Sequence, residues 1–271
     1  MIRELFSIGP LSISPFGVML MLAFLAAYWQ LAWGLKRLDA GDADDASALM
    51  LWAGLVGIAG GKVYYAALYQ DWRLLFDRSG LVWYGSFLAG AAAVLWQMKR
   101  RRMPGWRTAD AAALGLALGY AIGRIGCFLV GDDYGRPTNL PWGVAFPVGL
   151  PPTYAGDLRR DFGVDVPATI SDDTLLRVHP TQVYETLAAL GIWAVGLLLL
   201  RRRPREGTVV LAVVGLLAVE RFLVELVRVK DDRFFGPFTI AQTIAAALLA
   251  TVVALAFRRR RRQDALPAPA R

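Results

Sequence analysis

Seven apolar runs dominate the sequence, and each is about as long as a helix that crosses a membrane. About twenty apolar residues in a helix span a hydrocarbon core of roughly 30 Å. The predicted spans are residues 15–35, 48–69, 81–98, 109–130, 181–200, 208–227 and 238–257. Hydrophobic residues make up 56% of the chain, more than the roughly 45–50% of a soluble domain. The sequence therefore predicts an all-α polytopic membrane protein in which residues 1–271 form a single membrane domain with seven transmembrane helices.

Basic residues follow every second apolar run and indicate how the chain is oriented. They occur after the first, third, fifth and seventh runs, as Lys36 and Arg37, residues 99–102 with Arg107, residues 201–203 with Arg205, and residues 258–262. Because loops rich in lysine and arginine stay in the cytoplasm, seven spans place the N-terminus outside and the C-terminus in the cytoplasm. Membrane topology thus explains the net charge of +8 better than a nucleic-acid partner does.

The link between the fourth and fifth runs, residues 131–180, is by far the longest, and it contains prolines, glycines and aspartates. In this topology the link lies outside, where we expect it to form a small extracytoplasmic head. The end of the chain, residues 263–271, has the sequence Gln-Asp-Ala-Leu-Pro-Ala-Pro-Ala-Arg. So few apolar residues cannot offset the entropy of ordering the segment, and we expect a disordered tail.

Ionisable residues lie within or at the ends of the predicted spans, where a charge costs at least about 2.5–3.5 kcal/mol. Those in the outer halves of their helices are Lys62, Arg124, Glu185, Glu220, Arg221, Glu225 and Arg228. Their common depth predicts one polar cavity that opens outward. The alternative is a set of buried ion pairs that only fix helix packing. Asp110 begins the fourth run on the cytoplasmic side, where we expect it to cap a helix.

Three stretches concentrate polar residues of complementary chemistry. The fourth run continues into Gly-Arg-Ile-Gly-Cys-Phe-Leu-Val-Gly-Asp-Asp-Tyr-Gly at residues 123–135, and the fifth begins with His-Pro-Thr-Gln-Val-Tyr-Glu at residues 179–185. The sixth ends with Arg221 and Glu225, which are four residues apart and share a helix face. Pro180 suits a first helical turn, so that the preceding histidine either caps this helix, takes part in a site, or does both.

At these three stretches the chain resembles the prolipoprotein diacylglyceryl transferases, a family of bacterial membrane enzymes. Residues 179–185 are similar to that family's His-Pro-Ser-Gln-Leu-Tyr-Glu, and residues 123–135 resemble its signature Gly-Arg-x-Gly-Asn-Phe-x-Asn-Gly-Glu-x-x-Gly. Arg221 and Glu225 match its Arg-x-x-x-Glu pair. The resemblance implies transfer of a diacylglyceryl group from phosphatidylglycerol to the lipobox cysteine thiol of an exported prolipoprotein. A thioether forms and glycerol-1-phosphate leaves, at the bacterial cytoplasmic (inner) membrane.

The residue types suit this reaction, for which the resemblance implies no metal and no nucleotide cofactor. The chain has a single cysteine and a single histidine, which argues against an internal disulfide or a cysteine- or histidine-based metal cluster. Arginine can bind a phosphate in a bidentate way, and fixed cations stabilise charge on a departing phosphate. The expected catalytic residues are Tyr84, Arg124, Asp132, Gly135, His179, Arg221 and Glu225, and the expected substrate-binding residues are Lys62, Arg124, Gln182, Glu185 and Arg221.

Several positions depart from the family pattern. Cys127 and Val130 replace the two signature asparagines, and Phe16, Lys62 and Tyr84 stand in place of a tyrosine, an arginine and a histidine. These changes leave open a catalytically inactive relative that binds phospholipid or lipoprotein. A transporter would use similar charges, but the sequence has no evident inverted repeat. We favour an active enzyme in which Tyr84 orients substrate through its hydroxyl, with Asp132 or His179 as the base. Cys127 is expected to pack as a small apolar residue, although a route in which it first accepts the lipid is conceivable.

Overall fold

The computed structural model of the protein describes residues 6–8, 11–76, 82–202, 205–229, 233–235 and 238–264. These residues form eight α-helices, one 3₁₀ helix at Trp72–Phe76 and two short hairpins. The α-helices are α1 Pro15–Arg37, α2 Ala43–Tyr69, α3 Trp83–Arg100, α4 Gly105–Val130, α5 Ala155–Phe162, α6 Thr181–Arg201, α7 Thr208–Val224 and α8 Ile240–Asp264. Each predicted apolar run therefore coincides with a long helix, and α5 lies in the long link.

Five helices are long enough and apolar enough to cross a membrane. They are α1, α2, α4, α6 and, within α8, Ile240–Arg259. The two other long helices are shorter, with 18 residues in α3 and 17 residues in α7. The architecture is that of a polytopic, mainly helical membrane protein.

Two antiparallel hairpins were not predicted from the sequence. Strands β1 (Phe6–Ile8) and β2 (Leu11–Ile13) pair just before α1. Strands β3 (Arg233–Phe235) and β4 (Phe238–Thr239) pair just before α8. Strands of two or three residues carry too little period-two alternation to be recognised beside long apolar runs.

The chain divides into two compact units, and the first of these comprises residues 26–115 and 205–207. In this unit α2 and α3 pack closely through small residues. A Cβ atom added at Gly60 would lie 2.7 Å from the carbonyl oxygen of Gly85, and one at Gly90 would lie 3.1 Å from that of Ala53. Glycine at these positions lets the two backbones approach, as small residues do between membrane helices.

The sequence predicted that Asp110 caps a helix start, and this prediction is wrong. The helix α4 begins five residues earlier, at Gly105, directly after Pro104. Asp110 is buried within α4, and its Oδ2 accepts a hydrogen bond of 2.6 Å from the backbone N–H of Gly207. Pro104 was the better signal for the helix start, because proline is favoured at the beginning of a helix, where its missing N–H is not needed.

The second compact unit comprises residues 1–25, 116–204 and 208–271, and it contains the whole of the long link 131–180. The link contributes Tyr134, Phe146, Leu158 and Val178 to a small core, which Val229, from the segment after α7, completes. Isolated bridges rather than long strands hold it together, including Val144 with Val178. The link is therefore an ordered part of this unit, and it connects the end of α4 to the start of α6.

Candidate active site

Three arginines and four carboxylates come together in the second unit. They come from the end of α4, the loop after it, the start of α6, and the end of α7 with the turns that follow. The members are Arg124, Asp132, Asp133, Glu185, Arg221, Glu225 and Arg228, and we call this set the arginine–carboxylate cluster. The side-chain exposure of the paired members ranges from 1% at Glu185 to 45% at Asp133. The buried members would be costly to desolvate alone, so charges of opposite sign hold one another in place.

Glu185 lies at the centre of the arginine–carboxylate cluster, with a side chain that is 1% exposed. Its Oε2 accepts a hydrogen bond of 2.6 Å from Nε of Arg124 and a second one from Nη2 of the same residue. Its Oε1 accepts a hydrogen bond of 3.1 Å from the hydroxyl of Tyr120 and lies 3.5 Å from Nη1 of Arg221. Glu185 therefore orients two arginines from two different helices.

Asp133 joins the loop after α4 to the end of α7. Its Oδ2 accepts a hydrogen bond of 3.0 Å from Nη1 of Arg124, and its Oδ1 accepts one of 2.6 Å from Nη2 of Arg228. Burial opposes ionisation, but Arg228 and Arg124 outweigh it and hold the pKa of Asp133 below its ordinary value. Asp133 is therefore a fixed negative charge, with both oxygens occupied.

Arg221 is the most accessible cation of the arginine–carboxylate cluster. Its side chain is 32% exposed, compared with 10% for Arg124 and 9% for Arg228. Its Nη2 lies 2.7 Å from Oε2 of Glu225, a charge contact without aligned hydrogen-bond geometry, since that oxygen has no hydrogen-bond partner. Arg221 thus retains donor capacity for a ligand, whereas Arg124 directs Nε and both terminal nitrogens to protein acceptors.

Asp132 differs from its neighbour because none of the described arginines forms an ion pair with it. Gln182 and Thr181, at the start of α6, fix the loop by donating to the backbone carbonyls of Asp132 and Asp133 over 2.5 and 2.7 Å. The Oδ1 atom of Asp132 is buried without a hydrogen-bond partner. Burial, followed by the nearby charge of Asp133, raises the pKa of the Asp132 carboxyl.

Cys127 lies beside these aspartates, and its ligand atom and theirs are all within 4.8 Å of one another. Three such groups can hold a metal ion, but both oxygens of Asp133 are already bound by arginines. The Cys127 sulfur is buried and receives a hydrogen bond of 3.4 Å from Nη1 of Arg124. Cys127, which stands in place of a signature asparagine, therefore helps to position the guanidinium of Arg124.

Gly135 is required by close packing where the loop after α4 meets two other segments. Its backbone N–H donates to the carbonyl of His179 over 2.9 Å. An added Cβ atom would lie 2.6 Å from the carbonyl oxygen of Val227, 2.7 Å from Cβ of His179 and 3.0 Å from Cγ2 of Thr181. Two of these neighbours are backbone or Cβ atoms, so they cannot rotate away.

Gly135→Ala is therefore expected to destabilise the protein by about 1–3 kcal/mol, the usual cost of overpacking, and to displace the loop that holds Asp132 and Asp133. Thermal unfolding in detergent micelles measures the effect. Gly191→Ala is the matched control, because nothing lies within 4 Å of a Cβ atom there and alanine favours a helix. Equal melting temperatures for the two variants would contradict this account of Gly135.

His179 does not cap α6 with its side chain, although capping was one of the two sequence hypotheses. The helix begins at Thr181 with Pro180 at the cap position, and no side chain hydrogen-bonds the cap. The imidazole Nδ1 instead lies 3.2 Å from the hydroxyl of Tyr184, which also accepts a hydrogen bond of 2.7 Å from Nε1 of Trp142.

Two residues predicted for the site belong to the first compact unit. Lys62 lies in α2, in the first compact unit. Tyr84 lies in the first turn of α3, and its side chain falls outside the described part of the chain. The site roles of both residues remain predictions.

Sequence reasoning missed Tyr120 and Asp133 and gave Arg228 no site role. Tyr120 lies four residues before Arg124 on α4, a spacing that places both on one helix face. Arg228 lies seven residues after Arg221, again a shared face. Asp133 has no such signal, because adjacent aspartates cannot be distinguished without the fold that brings Arg228 to one of them.

The chain is similar to known proteins along nearly its whole length. A family model described as prolipoprotein diacylglyceryl transferase matches residues 3–258. A phosphatidylglycerol–prolipoprotein diacylglyceryl transferase of Symbiobacterium thermophilum is 32% identical over 249 residues, which cover 89% of this chain and 86% of the relative. Proteins of the same name from Stenotrophomonas maltophilia and Nostoc sp. are 31% and 29% identical over 90% and 97% of this chain, covering 87% and 92% of those relatives. The chain therefore belongs to the prolipoprotein diacylglyceryl transferase family.

Proposed function

We propose that this protein transfers the diacylglyceryl group of phosphatidylglycerol to the lipobox cysteine thiol of exported prolipoproteins. The thiolate attacks the glycerol carbon that carries the phosphate, a carbon–sulfur bond forms, and glycerol-1-phosphate leaves with the electrons of the broken carbon–oxygen bond. The observation that carries the proposal is the arginine–carboxylate cluster, in a chain that matches the family model over residues 3–258. Its partly exposed cation, Arg221, suits a lipid phosphate.

The arrangement suggests a division of work among the three arginines. Arg221 binds the phosphate of the donor lipid, because its guanidinium is the most exposed of the three. Arg124 and Arg228 are held by Glu185 and Asp133. They stabilise the negative charge of the leaving phosphate as fixed charges, without the cost of reorganising during the reaction. Gln182 serves by fixing the loop after α4, and Lys62 is assigned to the lipid headgroup on the sequence pattern alone.

Asp132 is the proposed base for the incoming thiol. Glu185 and Asp133 accept hydrogen bonds from arginines. Glu225 has an oxygen without a hydrogen bond, but that oxygen lies 2.7 Å from the charge of Arg221, which disfavours its protonation. Asp132 has an oxygen without a hydrogen bond and a pKa raised by burial, which makes it a stronger base than an ordinary aspartate. Tyr84 then orients substrate through its hydroxyl, since a tyrosine with an ordinary pKa near 10 is a poor base at neutral pH.

The transfer rate is expected to rise with pH through the raised pKa of Asp132. A general base acts only in its ionised form, so protonation below that pKa removes activity. The acidic limb of the pH–rate profile should therefore lie above the ordinary aspartate pKa of about 3.9. Asp132→Asn should lower the plateau rate by about a hundredfold or more and abolish this limb. A variant that retains both the limb and the plateau would exclude Asp132 as the base.

The proposed topology has seven spans, with the N-terminus outside and the C-terminus in the cytoplasm of a bacterium. This orientation puts residues 131–180 and the arginine–carboxylate cluster toward the outer face, where exported prolipoproteins arrive. Reporter fusions after Pro152 and after Arg203 should report opposite sides of the membrane, with the first outside. Signals from the same side would overturn the topology.

The alternative of an inactive relative is not favoured by the names of the relatives, all of which are transferases. Incubation of the purified protein with phosphatidylglycerol and a lipobox peptide separates the two possibilities. An active enzyme increases the mass of the peptide by one diacylglyceryl group, whereas an inactive relative binds the lipid and leaves the peptide mass unchanged.

A further inference from the structure

Three side chains form a hydrogen-bonded chain that the arginine–carboxylate cluster does not include. Trp142, in the link 131–180, places its indole Nε1 2.7 Å from the hydroxyl of Tyr184 on α6. The same hydroxyl lies 3.2 Å from Nδ1 of His179, just before that helix. Trp142 is 55% exposed, so water is available to its N–H. Burial does not force this N–H to find a protein acceptor, so its hydrogen bond to Tyr184 is a specific feature of the structure.

The directions of these two hydrogen bonds follow from the donors and acceptors available. An indole N–H can only donate, so the Tyr184 oxygen accepts from Trp142. A phenol has one proton of its own, and His179 Nδ1 is its only acceptor among the described residues. Tyr184 is then placed to donate its own proton to Nδ1, and in that arrangement Nδ1 is unprotonated and the ring proton of a neutral histidine resides on Nε2. Partial burial also lowers the pKa of His179, which favours the neutral ring.

We propose that His179 is a fixed hydrogen-bond donor to the substrate through Nε2–H, held in this tautomer by Tyr184 and Trp142. The target of the donor is an oxygen atom of the reacting lipid, and this part rests on the proposed function. The Nε2 atom has no hydrogen-bond partner among the described residues and is available for one. His179 also adjoins the site, because its backbone carbonyl accepts from Gly135 and its Cβ atom bounds the space beside that glycine.

This assignment excludes His179 as the base for the thiol. Accepting a proton at Nδ1 would require the Tyr184 hydroxyl to turn away and lose its acceptor. Tyr184 and Trp142 are positioning residues, because they act on the substrate only through the imidazole. Thr181, two residues after His179, donates a hydrogen bond to the backbone carbonyl of Asp133. This bond keeps the segment that carries His179 beside the loop that carries Asp133 of the arginine–carboxylate cluster.

The tautomer can be measured directly, because His179 is the only histidine in the chain. The full-length protein, labelled with ¹³C,¹⁵N-histidine and prepared without a polyhistidine tag, gives one imidazole in solid-state NMR spectra of proteoliposomes. At neutral pH we expect a protonated Nε2 and an unprotonated, hydrogen-bonded Nδ1. Tyr184→Phe should produce a mixture of tautomers, whereas Tyr154→Phe, the same substitution at the start of α5, should leave the spectrum unchanged. A wild-type ring protonated at Nδ1 would overturn the proposal.

Two substitutions at His179 then separate donation from proton acceptance during transfer. Glutamine places an N–H donor near the position of Nε2 but has no basic nitrogen, whereas alanine supplies neither. We expect His179→Gln to retain transfer within about tenfold of wild type, and His179→Ala to lose at least about tenfold more, each tenfold being roughly 1.4 kcal/mol of barrier. Equal loss in both variants would reject the donor role. A wild-type protein without transfer would instead reject the proposed function, while the NMR result would still test the tautomer.

Discussion

Arg221→Ala is expected to lower the rate of diacylglyceryl transfer by at least about a hundredfold while the protein stays folded and inserted. The loss of one donor that stabilises the transition state typically costs about 10²–10³ in rate. Arg221 is partly exposed, and after its removal Glu225 still has Nε of Arg228 at 3.8 Å. The variant should therefore lose a substrate contact without leaving an isolated buried charge. Initial rates in mixed micelles of phosphatidylglycerol measure the effect.

Arg160→Ala is the matched control for this prediction. It removes the same charge from the link 131–180, where the side chain is 69% exposed and, within the described part of the chain, pairs with Asp157 and Asp161 alone. We therefore expect little change in rate. Combining Arg221→Ala with Glu225→Gln should cost little more than Arg221→Ala alone, because residues that act as a unit are not additive. An Arg221→Ala variant with the activity of Arg160→Ala would remove Arg221 from the site.

Glu185→Ala is expected to destabilise the protein by about 3–5 kcal/mol, the usual cost of leaving one partner of a buried ion pair alone. Arg124 would lose the acceptor of two of its nitrogens, and Tyr120 would lose the acceptor of its hydroxyl. Glu185→Gln preserves the shape and one acceptor oxygen, so its effect should be smaller. Unfolding of the purified protein, followed by temperature or denaturant, measures both variants.

Glu206→Ala is the comparison for this second prediction. Glu206 pairs with Arg107 over 2.7 Å, but both side chains are more than two-fifths exposed, so the pair should contribute no more than about 1 kcal/mol. Burial therefore predicts a clear order of stability, with Glu185→Ala well below Glu206→Ala. If the two variants unfold together, the arginine–carboxylate cluster does not hold the helices in the way described.

The helices could be predicted because their signal is local. A run of about twenty apolar residues needs no partner to be recognised, and a long helix covers all but at most three residues of each predicted run. The hairpins before α1 and α8 could not be predicted, since they depend on two- and three-residue strands. Asp110 was assigned to a helix start because of its residue type, whereas α4 begins at Gly105, directly after Pro104.

The candidate site could be predicted only where its residues are close in sequence. Arg221 and Glu225 are four residues apart, and the structure brings them into contact. Asp133 meets Arg228 from 95 positions away, and Glu185 meets Arg124 from 61 positions away. No periodicity relates such positions, so their pairing emerges only when α4, α6 and α7 are assembled. The choice between Asp132 and Asp133 depends on this assembly.

The most direct test of the account is a single reaction that follows both products. Purified wild-type protein receives phosphatidylglycerol and a lipobox peptide, with a cysteine-to-serine peptide as the control, and mass spectrometry quantifies the lipidated peptide and the released glycerol-1-phosphate. We predict that the two products form in equal amounts with the cysteine peptide, that neither forms with the serine peptide, and that Arg221→Ala yields at most about a hundredth of either. A folded wild-type protein that forms neither product with the cysteine peptide would contradict the proposed function.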